Sequence, residues 1–234
     1  LRYKMAIGRP STFQHKMQGN IFASNEISWG VANSWSLYGG GIITDGFNSL
    51  SIGIGRDLFL LGALSIDVTQ SHAQIPNSNS ISGRSYRLSY SKRFDDYDSE
   101  VTFAGYRFSE RDYVTMNQFL NLRYLGNKIK QNKEMYTVTL NKNFTDARLS
   151  LYTTYSHQSY WDKPDENNYS LSLSRYFDFF SQKNLSINIS AVRSQRNQRT
   201  DDSISLGVSV PLGNGQTLGY NGQSSNNFIN QAVN

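Results

Sequence analysis

The chain has 234 residues and a net charge of +5, and only 18% of its residues are charged, whereas about 25% is usual for soluble domains. The positive charges do not gather into Lys/Arg blocks, which argues against a nucleic-acid-binding protein. There is no cysteine, so disulfides and thiolate chemistry are excluded. Hydrophobic residues reach only 38%. This composition favours a protein whose interior is itself polar over one with a large apolar core.

The first residues, LRYKMAIGRP, do not resemble a signal peptide, because no apolar run follows the charges. We therefore expect a mature chain or an internal fragment. The most apolar run, LFLLGALSI at 58–66, is far shorter than the roughly 20 residues that cross a bilayer as a helix. No linker divides the chain, so we expect one domain.

Apolar and polar residues alternate with period two along most of the chain. A helix would instead repeat its apolar residues every three or four positions, so these segments are predicted to be strands. The clearest examples, in chain order, are 63–70, 86–94, 136–143, 148–158, 167–175, 184–190 and 203–210. Segments rich in Asn, Asp, Gly, Ser and Pro separate them and predict turns. About thirteen strands in an antiparallel meander are expected.

One stretch, 111–134, alternates poorly. Met116, Phe119, Leu120 and Tyr124 lie at spacings that a short helix uses. We expect a long loop here, with a helical turn.

The two faces of the strands can be assigned in two ways. In a soluble sandwich the apolar face meets a second sheet, whereas in a transmembrane barrel it meets lipid and the polar face lines the lumen. Here the polar faces carry small Ser, Thr, Asn and Gly residues. Aromatic residues lie at segment ends, as in the girdles of membrane barrels: Trp29, Trp35, Phe94, Tyr160, Trp161, Tyr176 and Phe177. The fold class predicted is all-β, an antiparallel transmembrane β-barrel.

Residues for site chemistry are few. His15, His72 and His157 do not have the spacing of a metal site. Acidic residues cluster in two predicted turns, at 95–100 and 162–166, where solvated turns or divalent ions at a lipopolysaccharide surface are the alternatives. We therefore assign no catalytic residue, no metal ligand and no cofactor.

A membrane enzyme remains an alternative. Small barrels can carry a nucleophile and a histidine at the rim. His157 lies near Ser156, Ser159 and Asp162 in the sequence, although proximity in sequence does not establish geometry.

Several strings occur in an order that resembles outer-membrane ushers of the chaperone–usher pathway. These strings are LYGGGIITDGFNSLSIGIGRDLFLLGALSIDVTQSHA (37–73), GYRFSERDYVTMNQFL (105–120), SHQSYWD (156–162) and VSVPLG (208–213). Each string alone is weak, but the order agrees along nearly the whole chain. The resemblance implies a translocation pore in the bacterial outer membrane, with residues 1–234 forming the segment after the plug. Because an usher barrel has roughly two dozen strands, the chain would be a portion of that barrel.

The resemblance also implies partners. Ushers receive periplasmic chaperone–subunit complexes, assist their ordered polymerisation and secrete the growing fimbrial fibre, in which a strand of one subunit completes the sheet of the next. Ushers are not enzymes and use no cofactor. The other expected partners are outer-membrane lipid and a second usher copy, but no nucleic acid.

If lipid meets the Leu/Ile/Val face, the opposite face lines the lumen. Residues expected to line it, providing wetting and weak sliding contact, are Arg87, Ser89, Thr137, Thr139, Arg148, Ser172 and Ser174. The alternative function is a complete small porin or exporter barrel.

Overall fold

The computed structural model describes residues 1–10, 19–75, 79–94, 99–126, 131–179, 182–213, 216–226 and 228–233. His15 and the acidic residues at 95–98 lie outside these ranges. The strands are β1 (Arg2–Gly8), β2 (Phe22–Ala32), β3 (Trp35–Thr44), β4 (Phe47–Asp57), β5 (Ala63–Ala73), β6 (Ile81–Phe94), β7 (Ser99–Ser109), β8 (Asn132–Phe144), β9 (Leu149–Tyr160), β10 (Glu166–Phe179), β11 (Gln182–Arg196), β12 (Arg199–Gly213), β13 (Gln216–Ser225) and β14 (Phe228–Val233).

Hydrogen-bonded neighbours follow the chain order from β1 to β14, as in a meander. The pairs whose register is resolved, β1–β5 and β10–β14, are antiparallel. The prediction of an all-β antiparallel fold is confirmed, with fourteen strands in the described residues instead of about thirteen. Between β7 and β8, where a long loop with a helical turn was expected, the chain forms a ten-residue helix, α1 (Met116–Leu125), because both of its ends are capped. Among the described residues, no helix is long and apolar enough to span a membrane.

Contacts divide the chain into two compact units. Unit 1 comprises residues 1–90, 105–135 and 158–163. Unit 2 comprises residues 91–104, 136–157 and 164–234.

Strand β4 illustrates the two faces of unit 1. Leu50 and Ile52 are 70% and 63% exposed, whereas Ser49 and Ser51, which alternate with them, are half-buried. Strand β5 continues the pattern, with Ile66 exposed beside buried Asp67. The alternation predicted from the sequence is therefore present, and the apolar side chains are the more exposed set. The side of β4 and β5 that carries Ser51 and Asp67 is called the polar face of unit 1.

Helix α1 packs on unit 1 through a small apolar core. Phe119 stacks on Phe47 of β4 at a centroid distance of 5.4 Å, and Val114 and Ala73 complete the buried cluster. Arg123 fixes the other end of the helix by an ion pair of 2.9 Å with Asp45.

The termini of α1 follow the usual chemistry of helix caps. The Thr115 side chain accepts a hydrogen bond from the Gln118 backbone N–H, and the Gln118 side chain accepts one from the Thr115 N–H. This reciprocal pair is a capping box, which satisfies donors that the first helical turn leaves free. At the other end, Gly126 adopts the left-handed conformation that glycine permits without strain.

Unit 2 has the same alternation without a helix. Leu171 and Ile204 are 47% and 58% exposed on its apolar face. On the other face, Ser190 of β11 and Ser205 of β12 are register partners, with their hydroxyls 2.6 Å apart. Ser174 donates to Asn188 across β10 and β11. These hydroxyl and amide groups define the polar face of unit 2.

Candidate functional site

A charged network lies at the centre of the polar face of unit 1. Asp67 is 8% exposed, and one of its carboxylate oxygens accepts hydrogen bonds from the guanidinium of Arg87, at 2.7 Å, and from the hydroxyl of Tyr38, at 3.2 Å. A buried carboxylate is costly unless it is paired and hydrogen-bonded, and this network supplies both.

Gly53 provides the space for this network. It is the register partner of Tyr38 on β3 and of Asp67 on β5. A Cβ atom at position 53 would lie 2.5 Å from Tyr38 Cε2 and 2.7 Å from Asp67 Cβ. The absence of a side chain therefore lets the tyrosine ring lie across β4 and reach the carboxylate.

A groove of about 520 Å³ opens around the network, and we call it the basic groove. Its charged lining residues are Arg2, Lys4, Glu26, Asp67, Arg87 and Arg107. Four cations thus face two carboxylates, one of which is already paired with Arg87. The floor includes Gly39 and Gly40, where added Cβ atoms would meet backbone oxygens at 2.9 and 2.7 Å.

A second cavity, of about 320 Å³, continues along the same face toward α1. It shares Ser51 and Thr69 with the basic groove and reaches Tyr113 and Thr115. Tyr113 lies in the loop after β7. Burial raises the pKa of its hydroxyl, and the positive charge of Arg107 opposes that rise.

The structure places two predicted lumen residues in unit 1. Arg87 lines the basic groove, and its ion pair with Asp67 fixes the position of its guanidinium. Ser89 is half-buried two residues further along β6, on the same side of the strand by the period of two.

The other five predicted residues lie in unit 2. Thr139 pairs with Thr154 at 3.2 Å between β8 and β9, and Thr137 is half-buried on the same side of β8. Arg148 lies in the turn before β9 rather than on a strand, where it pairs with Asp178 at 3.2 Å.

Ser172 and Ser174 both lie on β10. Ser172 lines a cavity with Ser190 and Asn221, and Ser174 donates its hydrogen bond to Asn188. Whether these seven side chains meet water in a lumen stays a prediction.

Sequence reasoning missed several members of the basic groove. Asp67 alternates with Ile66 and Val68, so the period of β5 already placed it on the polar side. Arg107 and Tyr38 carried no such signal, because they reach the groove only through the register of their strands. Arg2 and Lys4 were also missed.

The ring nitrogens of His157, the histidine of the enzyme alternative, face Asn167 and Asp165. Its Nδ1 lies 2.8 Å from Asn167 Oδ1, and its Nε2 lies 3.7 Å from Asp165 Oδ2. With both ring nitrogens directed at these groups, the geometry gives no support to a Ser–His pair. Within the described ranges, no group of three or more His, Cys, Asp or Glu residues has the geometry to hold a metal ion.

The chain matches known proteins along its whole length. The family model for outer membrane usher proteins covers residues 1–234. The usher PapC of Escherichia coli is 48% identical over 99% of this chain, and the usher PmfC of Proteus mirabilis is 43% identical over 99%. The chain spans only 28% and 29% of those two proteins.

Solved structures give the same result. The P pilus usher (PapC) translocation pore matches with a TM-score of 0.67 at 45% identity, over 97% of this chain and 45% of the pore chain. A cryo-EM structure of the E. coli P pilus tip assembly intermediate PapC-PapD-PapK-PapG, in its second conformation, matches with a TM-score of 0.77 at 47% identity, over 99% of this chain and 29% of the matched chain. These matches confirm the predicted barrel class, and the chain belongs to the family of bacterial outer-membrane ushers.

Proposed function

We propose that this chain forms part of the wall of an usher translocation pore, in the segment after the plug. The usher would receive chaperone–subunit complexes on the periplasmic side, assist their ordered polymerisation and secrete the growing fimbrial fibre. The observation that supports this proposal most strongly is the family match along residues 1–234. The assembly intermediate that contains PapC together with PapD, PapK and PapG supports the choice of partners.

The two faces of each unit fit that role. The exposed apolar residues, Leu50 and Ile52 in unit 1 and Leu171 and Ile204 in unit 2, suit contact with lipid chains. The polar face of unit 1, with the basic groove, and the polar face of unit 2, with its hydroxyls and amides, each suit a water-filled passage. The predicted lumen residues remain Arg87, Ser89, Thr137, Thr139, Arg148, Ser172 and Ser174. Six of them lie on strands, where the two faces support the assignment, and Arg148 lies in the turn before β9.

The proposed role is transport rather than catalysis. The matched relatives are ushers, and His157 pairs with Asn167 and Asp165 instead of a nucleophile. Energy for export would come from the folding of subunits as a donated strand completes each sheet. No observation favours the small-porin alternative.

Fibre display tests this function. The full-length usher that contains this chain would be restored, on a plasmid, to cells that lack it but retain the matching chaperone and subunits. We expect fibres on the surface of these cells and chaperone–subunit complexes trapped in the periplasm of cells without the usher. Equal display with and without the usher would refute the proposal.

A further inference from the structure

The basic groove has features of a specific binding site. A wall that a fibre only slides past would not need them. Its carboxylate is buried and doubly hydrogen-bonded, and Gly53 leaves room for Tyr38 to reach it. Arg87 is thereby held in one orientation. Because its charge is held in place by neighbours, it can recognise a ligand at a smaller entropic cost than a mobile side chain.

The charge of the groove selects the ligand. Asp67 neutralises Arg87 in part, so Arg2, Lys4 and Arg107 supply the positive potential that is left, with Glu26 as the opposing acid. Four cations and two carboxylates leave two positive charges, which one or two carboxylates of a ligand can neutralise.

The shape of the groove indicates an extended ligand. The basic groove and the second cavity share Glu26, Gly40, Ser51 and Thr69, so they form one continuous depression along the polar face. Their combined lining includes Arg2 and Lys4 on β1 and reaches Thr115 and Met116 at the start of α1. A compact anion would fill only one end, whereas an extended peptide would occupy both.

We propose that the basic groove of unit 1 binds an extended, carboxylate-bearing segment of polypeptide on the lumen side of the usher. This inference rests on the proposed function, because that function places the polar face in the passage that the polypeptide crosses. The Asp or Glu side chain would lie between Lys4 and Arg107, beside the fixed guanidinium of Arg87. Backbone groups of the peptide would run past Ser51 and Thr69, whose hydroxyls can donate or accept hydrogen bonds.

Peptide binding to the full-length usher in detergent tests the proposal. The probe is a fluorescent synthetic peptide, Gly-Ser-Asp-Gly-Asp-Ser-Gly, and the reference is the same peptide with Asn in place of Asp. At low salt we expect the Asp peptide to bind about tenfold more tightly, since like-sized amides lack the charge. The variant Lys4→Gln/Arg107→Gln should abolish that preference and leave the Asp67–Arg87 pair intact.

Arg84→Gln is the matched control. Arg84 is exposed on β6 three residues before Arg87, so it lies on the opposite face of the same strand. Equal binding of the two peptides to the unmodified usher would overturn the proposal. So would a loss of Asp-peptide binding in Arg84→Gln as large as the loss in Lys4→Gln/Arg107→Gln. Fibre display by the unmodified usher is measured in parallel. If fibres form while the peptides bind equally, the groove proposal alone fails, and if no fibres form, the pore function fails.

Discussion

The polar faces of the two units differ in how they carry charge. In unit 1 the face is organised around a buried carboxylate with its arginine and tyrosine partners. In unit 2 the face is made of hydroxyl and amide pairs, such as Ser190 with Ser205, and the ion pairs lie near the strand ends. The same strand period thus produces a specific charged groove in one unit and a neutral surface in the other.

The two units also differ in packing, and unit 1 again has the more specific side-chain contacts. The largest fully buried side chains of the described residues all lie in unit 1, and they are Phe47, Phe119, Val114, Ser71 and Ser109. Helix α1 covers part of this face and excludes water from it. Unit 2 depends mainly on its backbone ladders, so single side chains there should matter less. Each prediction below changes one residue in unit 1 or unit 2 and measures local opening free energies in the full-length usher by amide hydrogen exchange.

The largest effect is expected at the core under α1. Phe119→Ala should remove the stacked contact with Phe47 and leave a cavity, lowering the local opening free energy of α1 by about 3–5 kcal/mol. Asn117→Ala, at an exposed position on the same helix, should leave exchange in α1 nearly unchanged. Equal exchange in both variants would show that the helix is not held by this core.

The next effect concerns the buried carboxylate. Asp67→Ala should deprive Arg87 and Tyr38 of their shared acceptor and lower the opening free energy of β5 by about 1–3 kcal/mol, because Arg87 is part-exposed and can turn to water. Asp202→Ala in unit 2 removes the acid of a solvated pair with Arg193 and should produce no measurable change. If Asp67→Ala and Asp202→Ala change the opening free energy equally, the difference we describe between the charged groups of the two units is wrong.

A glycine pair tests the space under Tyr38. Gly53→Ala should displace the tyrosine ring or the carboxylate and cost about 1–3 kcal/mol in β4. Gly207→Ala in unit 2 meets its first neighbour, Asn221 Oδ1, at 3.2 Å, so a small shift of that amide should accommodate it. A larger loss of opening free energy in Gly207→Ala than in Gly53→Ala would contradict the claim that Tyr38 needs the space at Gly53.

The smallest effect is expected in the neutral face. Ser190→Ala should remove one hydroxyl pair with Ser205 and cost about 1 kcal/mol in β11, since water can replace part of the bond. Its exchange is compared with that of Ser150→Ala, which removes an exposed hydroxyl on β9. A loss as large as that of Phe119→Ala would mean that unit 2 has a packed core of its own.

Much of this fold could be predicted from the alternation of apolar and polar residues along the sequence. The alternation in 63–70 predicted which side of β5 carries Asp67. The spacing of Met116, Phe119, Leu120 and Tyr124 indicated a helical turn, although not the full length of α1. The helix could have been bounded more closely, because Thr115 and Gln118 have the spacing of a capping box and Gly126 that of a C-terminal cap.

The basic groove could not be predicted in the same way. Asp67 and Arg87 are 20 residues apart, and Tyr38 lies 29 residues before Asp67. Their meeting depends on the register of neighbouring strands, which a one-residue slip would destroy. The alternation of apolar and polar residues assigns a face of the sheet to each residue. It does not show how neighbouring strands are aligned, and that alignment brings Lys4 of β1 and Arg107 of β7 to the same groove.

Cysteine labelling on β10 of unit 2 tests whether the polar face meets water and the apolar face meets lipid. Ser172→Cys and Leu171→Cys are adjacent on β10 and point to opposite faces, and this chain has no cysteine of its own. The full-length usher, freed of any other accessible cysteine, is treated in the outer membrane with a water-soluble maleimide. We predict labelling of Ser172→Cys and protection of Leu171→Cys, and the reverse pattern would contradict the assignment of the two faces.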